Sequence, residues 1–77
     1  MESKYLDFRE QPNPGRKTKK FNVHNKTGFQ LGIIYYWTKW RKYIFEPASH
    51  NIIFDPDCLV DIANKCRKLT EAQRKGG

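Results

Sequence analysis

The residues with the most pointed chemistry in this chain are Lys39, Trp40, Arg41 and Lys42, two lysines enclosing an indole and a guanidinium, with Tyr36 and Tyr43 close on either side. Aromatic rings offer faces on which nucleobases stack, worth about 1–3 kcal/mol per base, and a guanidinium beside them can pair with a phosphate or a guanine edge. A second run, Arg16-Lys17-Thr18-Lys19-Lys20, packs four cations into five residues and can gain affinity for a polyanion by releasing counterions from its phosphates. The same residues have a plainer explanation. Charge runs are commonly solvated surface, Trp37 and Trp40 can be cross-strand packing partners, and the Arg41 stem can lie on Tyr43 as cation–π support worth about 0.5–1 kcal/mol. The nucleic-acid interface expected from the sequence therefore comprises Arg16, Lys17, Lys19, Lys20, Tyr36, Lys39, Trp40, Arg41 and Tyr43.

Other chemistries find less support. His24 and His50 are the only histidines, and no Cys-x-x-Cys or His-x-His spacing accompanies them, so a zinc site is a poor reading. Cys58 and Cys66 stand about 12 Å apart if they share a helix, too far for a disulfide, and on its apolar stripe both would be inert thiols. Asp55, Asp57 and Asp61 resemble a carboxylate site only until helix capping accounts for two of them. A glycine-rich phosphate loop is absent. The expectation is a non-enzymatic protein that needs no cofactor.

Fifteen Lys plus Arg against eight Asp plus Glu leave a net charge of +7, and the pI near 9.7 points to polyanionic partners, DNA or RNA first and an anionic membrane surface second. Net charge describes a soluble surface as readily as a binding one. An apolar run of about 18 residues is missing and the first twenty residues are polar, so neither a membrane span nor a signal peptide is expected. With reduced thiols, this suggests a cytoplasmic protein with no membrane partner.

The elements that must position these groups follow from pattern. Residues 1–20 read as a flexible basic tail, with Tyr5, Leu6 and Phe8 as apolar side chains able to dock on the folded part, and Gln11-Pro12-Asn13-Pro14-Gly15 as a turn or extended segment. Phe21 to His24 alternates apolar and polar as a short strand; Asn25-Lys26-Thr27-Gly28 supplies turn chemistry; aromatic and β-branched residues carry two more strands, about Phe29–Trp37 and Trp40–Glu46. Ile52-Ile53-Phe54 either extends the sheet or plugs its end. Asp55 and Pro56 open a helix as N-cap and first residue. Its stripe of Cys58, Leu59, Ile62, Ala63, Cys66 and Leu69 spans about 140°, with an end between Thr70 and Arg74 and a frayed Gly76-Gly77. The expected fold is α+β: a three-stranded antiparallel sheet on one C-terminal helix, βββα in two layers, over residues 21–75.

Parity sorts the sheet's side chains. An even connection between the last two strands groups Leu31, Ile33, Tyr35, Trp37, Trp40 and Ile44 on one face, and Ile34, Tyr36, Arg41, Tyr43 and Phe45 around Gly32 on the other. The aliphatic first group is expected beneath the helix. The second is expected open, for nucleic acid or, alternatively, for a host protein or a second copy of the chain, with Trp37, Trp40 and Phe45 as anchors. On this reading Arg41→Ala and Tyr43→Ala weaken binding with little loss of stability.

The string Leu31-Gly32, Ile34, Tyr36, then Trp40-Arg41-x-Tyr43-x-Phe45-x-Pro47, followed by Ile53-Phe54-Asp55, Cys58-Leu59 and Asp61-Ile62-Ala63, resembles a group of small uncharacterised proteins encoded by bacteriophages and prophages. The likeness covers about residues 20–69. Tyr36 stands where that group has tryptophan and Ile44 where it has cysteine, and neither change disturbs a strand. The resemblance implies a bacterial or phage setting and carries over no functional residue. A looser likeness, to sheet-plus-helix DNA-binding domains of integrases and certain plant transcription factors, rests on architecture alone.

Overall fold

A computed structural model describes residues 5–76, which form β1 (Leu6–Gln11), β2 (Lys20–Asn25), β3 (Gln30–Trp37), β4 (Lys42–Pro47) and α1 (Pro56–Gly76). The first four residues of the expected tail, and Gly77, lie outside the described residues. The strands pair antiparallel in the order β1-β2-β3-β4, a meander with one helix, so the α+β class holds and the strand count is corrected from three to four.

The extra strand comes from the segment expected to be a tail. Leu6 and Phe8 alternate with Asp7 and Arg9, the pattern of a strand with one buried face, and they register opposite Asn25 and Val23. Leu6 is only 2% exposed. The basic run is correspondingly a hairpin loop rather than an arm. The Asn13 carbonyl accepts from the Arg16 N–H at 3.2 Å, Asn13 Nδ2 donates to the Thr18 carbonyl at 2.9 Å, and the Lys19 N–H donates to the Tyr43 hydroxyl at 2.9 Å, stitching the loop to β4.

The β2–β3 turn follows its sequence closely. Asn25 Oδ1 accepts from the N–H groups of Thr27 and Phe29 at 3.0 and 2.9 Å, and Gly28 takes the positive φ of +94° that favours glycine. Beyond the turn the register shifts. His24 faces Gln30, but Val23 faces Gly32, so Leu31 is the extra residue of a β-bulge. Gly32 is needed there, because a Cβ would be driven into the Glu46 carbonyl oxygen and the Phe45 ring.

The bulge decides which face is buried. Without it Phe21 would lie opposite Ile33; with it Phe21 lies opposite Ile34, and a one-residue slip exchanges faces. The core is Leu6, Phe21, Val23, Leu31, Ile34, Tyr43 and Ile62, with Phe8, Tyr36, Phe45, Ile52, Phe54, Cys58, Cys66 and Leu69 packed around it. The parity grouping agrees with the observed cross-strand pairs Tyr35↔Ile44 and Tyr36↔Tyr43, but the assignment of faces is reversed. The helix covers the Ile34/Tyr43 side, and Ile33, Tyr35, Trp37 and Ile44 lie on the other. Leu31 alone of its group turns inward, through the bulge.

Helix α1 opens as expected. Asp55 Oδ1 accepts from the Cys58 N–H at 2.8 Å, and these N–H bonds hold the Asp55 carboxyl below its ordinary range. Two details differ. The helix runs on through Gly76, and its buried stripe is turned away from Leu59, which is 50% exposed, toward Ile62, Cys66 and Leu69. Phe54 meets Phe45 edge-on at 5.5 Å, so Phe54 and Ile52 plug the end of the core while Ile53 stays exposed, and the triplet does not extend the sheet.

Candidate nucleic-acid interface

The uncovered face is built by alternation along four strands. β3 contributes Ile33, Tyr35 and Trp37, and β4 contributes Lys42, Ile44 and Glu46 directly opposite them. Asn22 and Lys20 of β2 pair with Ile33 and Tyr35, and Arg9 and Gln11 of β1 complete the rows. An apolar and aromatic stripe thus runs between polar margins that carry Arg9, Lys20 and Lys42.

Three rings form a continuous series on this face. Tyr35 and Trp37 stand edge-on at 6.1 Å, and Trp37 and Trp40 edge-on at 6.2 Å; Trp40, at the hairpin tip, is 63% exposed. The Tyr35 hydroxyl donates to Glu46 Oε1 at 2.8 Å, fixing the ring's orientation, and that bond holds the tyrosine proton on more tightly than usual. Both tryptophans of the chain therefore lie on the uncovered side, where a sheet with only packing duties would carry polar residues.

Topology gathers the cations. The β1–β2 loop, with Arg16, Lys17 and Lys19, and the β3–β4 tip, with Lys39 and Arg41, emerge at the same end of the sheet, since Lys20 pairs with Tyr35 and Trp37 with Lys42. All five are exposed. The tip is a four-residue loop in which Trp37 and Thr38 carbonyls accept from the Trp40 and Arg41 N–H groups at 3.2 and 3.3 Å. Arg41 closes it at φ +53°, a conformation unusual for a side-chain-bearing residue.

Of the residues expected at the interface, Arg16, Lys17, Lys19, Lys20, Lys39, Trp40 and Arg41 are brought together at or beside this face. Tyr43 and Tyr36 are not, and here the expectation is corrected. Tyr43 is 4% exposed in the core, with its N–H donating to Thr70 Oγ1 at 2.9 Å, and Tyr36 packs on it edge-on at 5.4 Å. Neither offers a ring face to a base. Phe45, proposed as a protein anchor, lies on the same covered side. The expectation that Tyr43→Ala spares stability falls with them. Tyr35, Trp37, Arg9 and Lys42 are the residues the expected set missed as site members; the parity grouping had already placed Tyr35, Trp37 and Trp40 together, and only the bulge concealed which group was open.

Toward β1 the face becomes less basic. Asp7 pairs with Lys26 at 2.9 Å and with Arg9 at 3.8 Å, and its carboxyl is held low chiefly by the Lys26 bond. His24 Nδ1 is buried without a hydrogen-bond partner among the described residues, and no cluster of three metal-ligating side chains occurs among them. Both thiols are free; burial pushes Cys66 up to about 11, and burial followed by the Asp55 carboxylate raises Cys58, the opposite of a thiol prepared for nucleophilic attack. No described helix is long and apolar enough to cross a membrane.

A 9.3 kDa protein of Acholeplasma phage L2, described only as uncharacterized, is 38% identical over 74 residues that span 95% of this chain and 94% of its own length. No protein-family profile matches the chain, and no solved structure matches it.

Proposed function

This chain belongs to one family with that small phage protein, and from that premise we propose that it is a non-enzymatic nucleic-acid-binding accessory protein that holds a single-stranded segment on its uncovered sheet face. The observation that carries the reading is the series Tyr35–Trp37–Trp40 at ring separations of 6.1 and 6.2 Å, left outside the core and bordered by cations at the loop end. Bases stack on such rings with little regard to sequence, while Lys20, Lys42, Arg41 and the Arg16–Lys19 loop neutralise the backbone. Single strands suit this arrangement better than duplex, because rings in a sheet reach bases only where those are unstacked.

The test uses the protein's own chromophores. Since both tryptophans belong to this face, titration with an oligothymidine should quench intrinsic fluorescence, with an affinity that falls as salt rises; an equal length of duplex should quench less. Unchanged emission at low salt, with saturating oligonucleotide, overturns the reading.

A second reading, a protein partner or a second copy, is supported by Ile53, Leu59 and Val60, which are 93%, 50% and 55% exposed around the start of α1. Salt-insensitive self-association on a sizing column favours it, and salt-sensitive retention on heparin favours the polyanion.

A further inference from the structure

Beside β4, away from the stacking rings' own face, an open groove of about 380 Å³ separates the strand from the C-terminal half of α1. Its walls carry Lys42, Arg67 and Arg74 against a single acid, Glu71, with Thr70 between them. Among the described residues none of the three cations has a carboxylate partner within ion-pair distance, whereas Glu71 is met by Lys75 at 3.8 Å. The thiol of Cys66 and the Thr70 hydroxyl are not free for a ligand: burial keeps the thiol protonated, and the hydroxyl donates to the Cys66 carbonyl at 2.8 Å while accepting from the Tyr43 N–H. What the groove offers is uncompensated positive charge. It does so at the carbonyl end of a helix, where the backbone dipole itself disfavours anions, so any anion held there is held by these side chains.

Lys42 belongs to both places, because it is the cross-strand partner of Trp37 and a wall of the groove. We infer that the groove is the phosphate seat of the interface. A strand whose bases stack on Tyr35 and Trp37 passes its backbone over the edge of β4 and lowers a phosphodiester between Lys42, Arg67 and Arg74. This rests on the nucleic-acid reading above and adds to it the path of the strand. The bond from the Tyr43 N–H to Thr70 argues against a peptide strand in the same place, since the backbone donor that strand addition would need there is already taken.

The experiment compares the salt dependence of oligothymidine affinity for the wild type, for Arg67→Gln/Arg74→Gln, and for Lys68→Gln, an exposed lysine on the same helix outside the groove. Losing the seat of one singly charged phosphodiester should lower the slope of log affinity against log salt by about 0.7, so that between 50 and 200 mM salt the double variant loses about 2.6-fold less affinity than the wild type. The amplitude of tryptophan quenching at saturation should be unchanged. A slope equal to that of the wild type overturns the phosphate seat while leaving the stacking reading intact. Inorganic pyrophosphate provides the second arm: shifts of the Arg67 and Arg74 Nε–H resonances support the seat even if oligothymidine fails to quench the tryptophans, which would overturn the stacking reading alone. Absence of those shifts at saturating pyrophosphate likewise overturns the seat.

Discussion

The two faces of this sheet are made of similar residues and have opposite fates. Beneath the helix, Phe21, Ile34, Tyr36, Tyr43 and Phe45 are drawn into one cluster with Ile62 and Leu69. On the other side Ile33, Tyr35, Trp37 and Ile44 remain half-exposed with no element of the described chain laid over them. Aromatic content therefore does not distinguish core from interface in so small a domain. What distinguishes them is coverage and surrounding charge: Tyr43 is buried, with its hydroxyl and N–H engaged by Lys19 and Thr70, whereas the uncovered rings, although the Tyr35 hydroxyl is held by Glu46, are bordered by the cations of Lys20, Lys42 and Arg41.

Substitutions on the two faces should separate stability from binding. The largest effect is expected from Ile34→Ala, which opens a cavity at a fully buried site and should cost about 2–5 kcal/mol. For a domain of this size that is enough to unfold much of the population near physiological temperature, visible in a urea titration. Next is Trp37→Ala, expected to weaken oligothymidine binding by about 1–3 kcal/mol, roughly 5- to 150-fold, with a far smaller change in melting temperature than Ile34→Ala. If Trp37→Ala unfolds the domain as badly, the division between the faces is broken.

Smaller changes sharpen the division. Tyr43→Phe removes the acceptor of the Lys19 N–H and should cost about 0.5–1.5 kcal/mol by urea unfolding, leaving fluorescence quenching by oligothymidine intact. Cys66 gives a pH signature on the covered side. Its folded thiol ionises near 11 against an ordinary value of 9.0, so the unfolded chain gives up that proton first. The thiol's contribution is complete below pH 9 and is lost as pH rises toward 11, amounting to about 1 kcal/mol once its partial exposure is discounted; Cys66→Ala should flatten that part of the profile relative to wild type. The smallest effect is at the tip. Arg41→Gly relieves a positive φ and should stabilise by a few tenths of a kcal/mol, while lowering the salt slope of binding by about 0.7 through the lost cation.

Much of this architecture was legible in the sequence where local chemistry dictates it. The Asp55-Pro56 helix start, the Asn25–Gly28 turn and the cross-strand grouping of aromatic residues all follow from residue types and spacing. The fourth strand was less legible because its signal is a short alternation, Leu6 to Arg9, set before a proline-rich link. The choice of face was hidden for a different reason. A bulge at Leu31 changes register by one residue, and its motive is tertiary: it brings both Leu31 and Ile34, which alternation would separate, into the same core, and it sets Gly32 where the Phe45 ring needs room. The groove beside β4 was invisible too, since Lys42 meets Arg67 and Arg74 only after the helix has turned back along the strand.

The isoleucines test the central claim most directly, because Ile33 and Ile44 lie on the uncovered face while Ile34 and Ile62 are buried at 0% and 5% exposure. In a sample with labelled isoleucine δ1-methyl groups, adding oligothymidine should shift the Ile33 and Ile44 resonances and leave Ile34 and Ile62 in place. Shifts at Ile34 and Ile62 with Ile33 and Ile44 unmoved, or no shifts at any of the four, would contradict it.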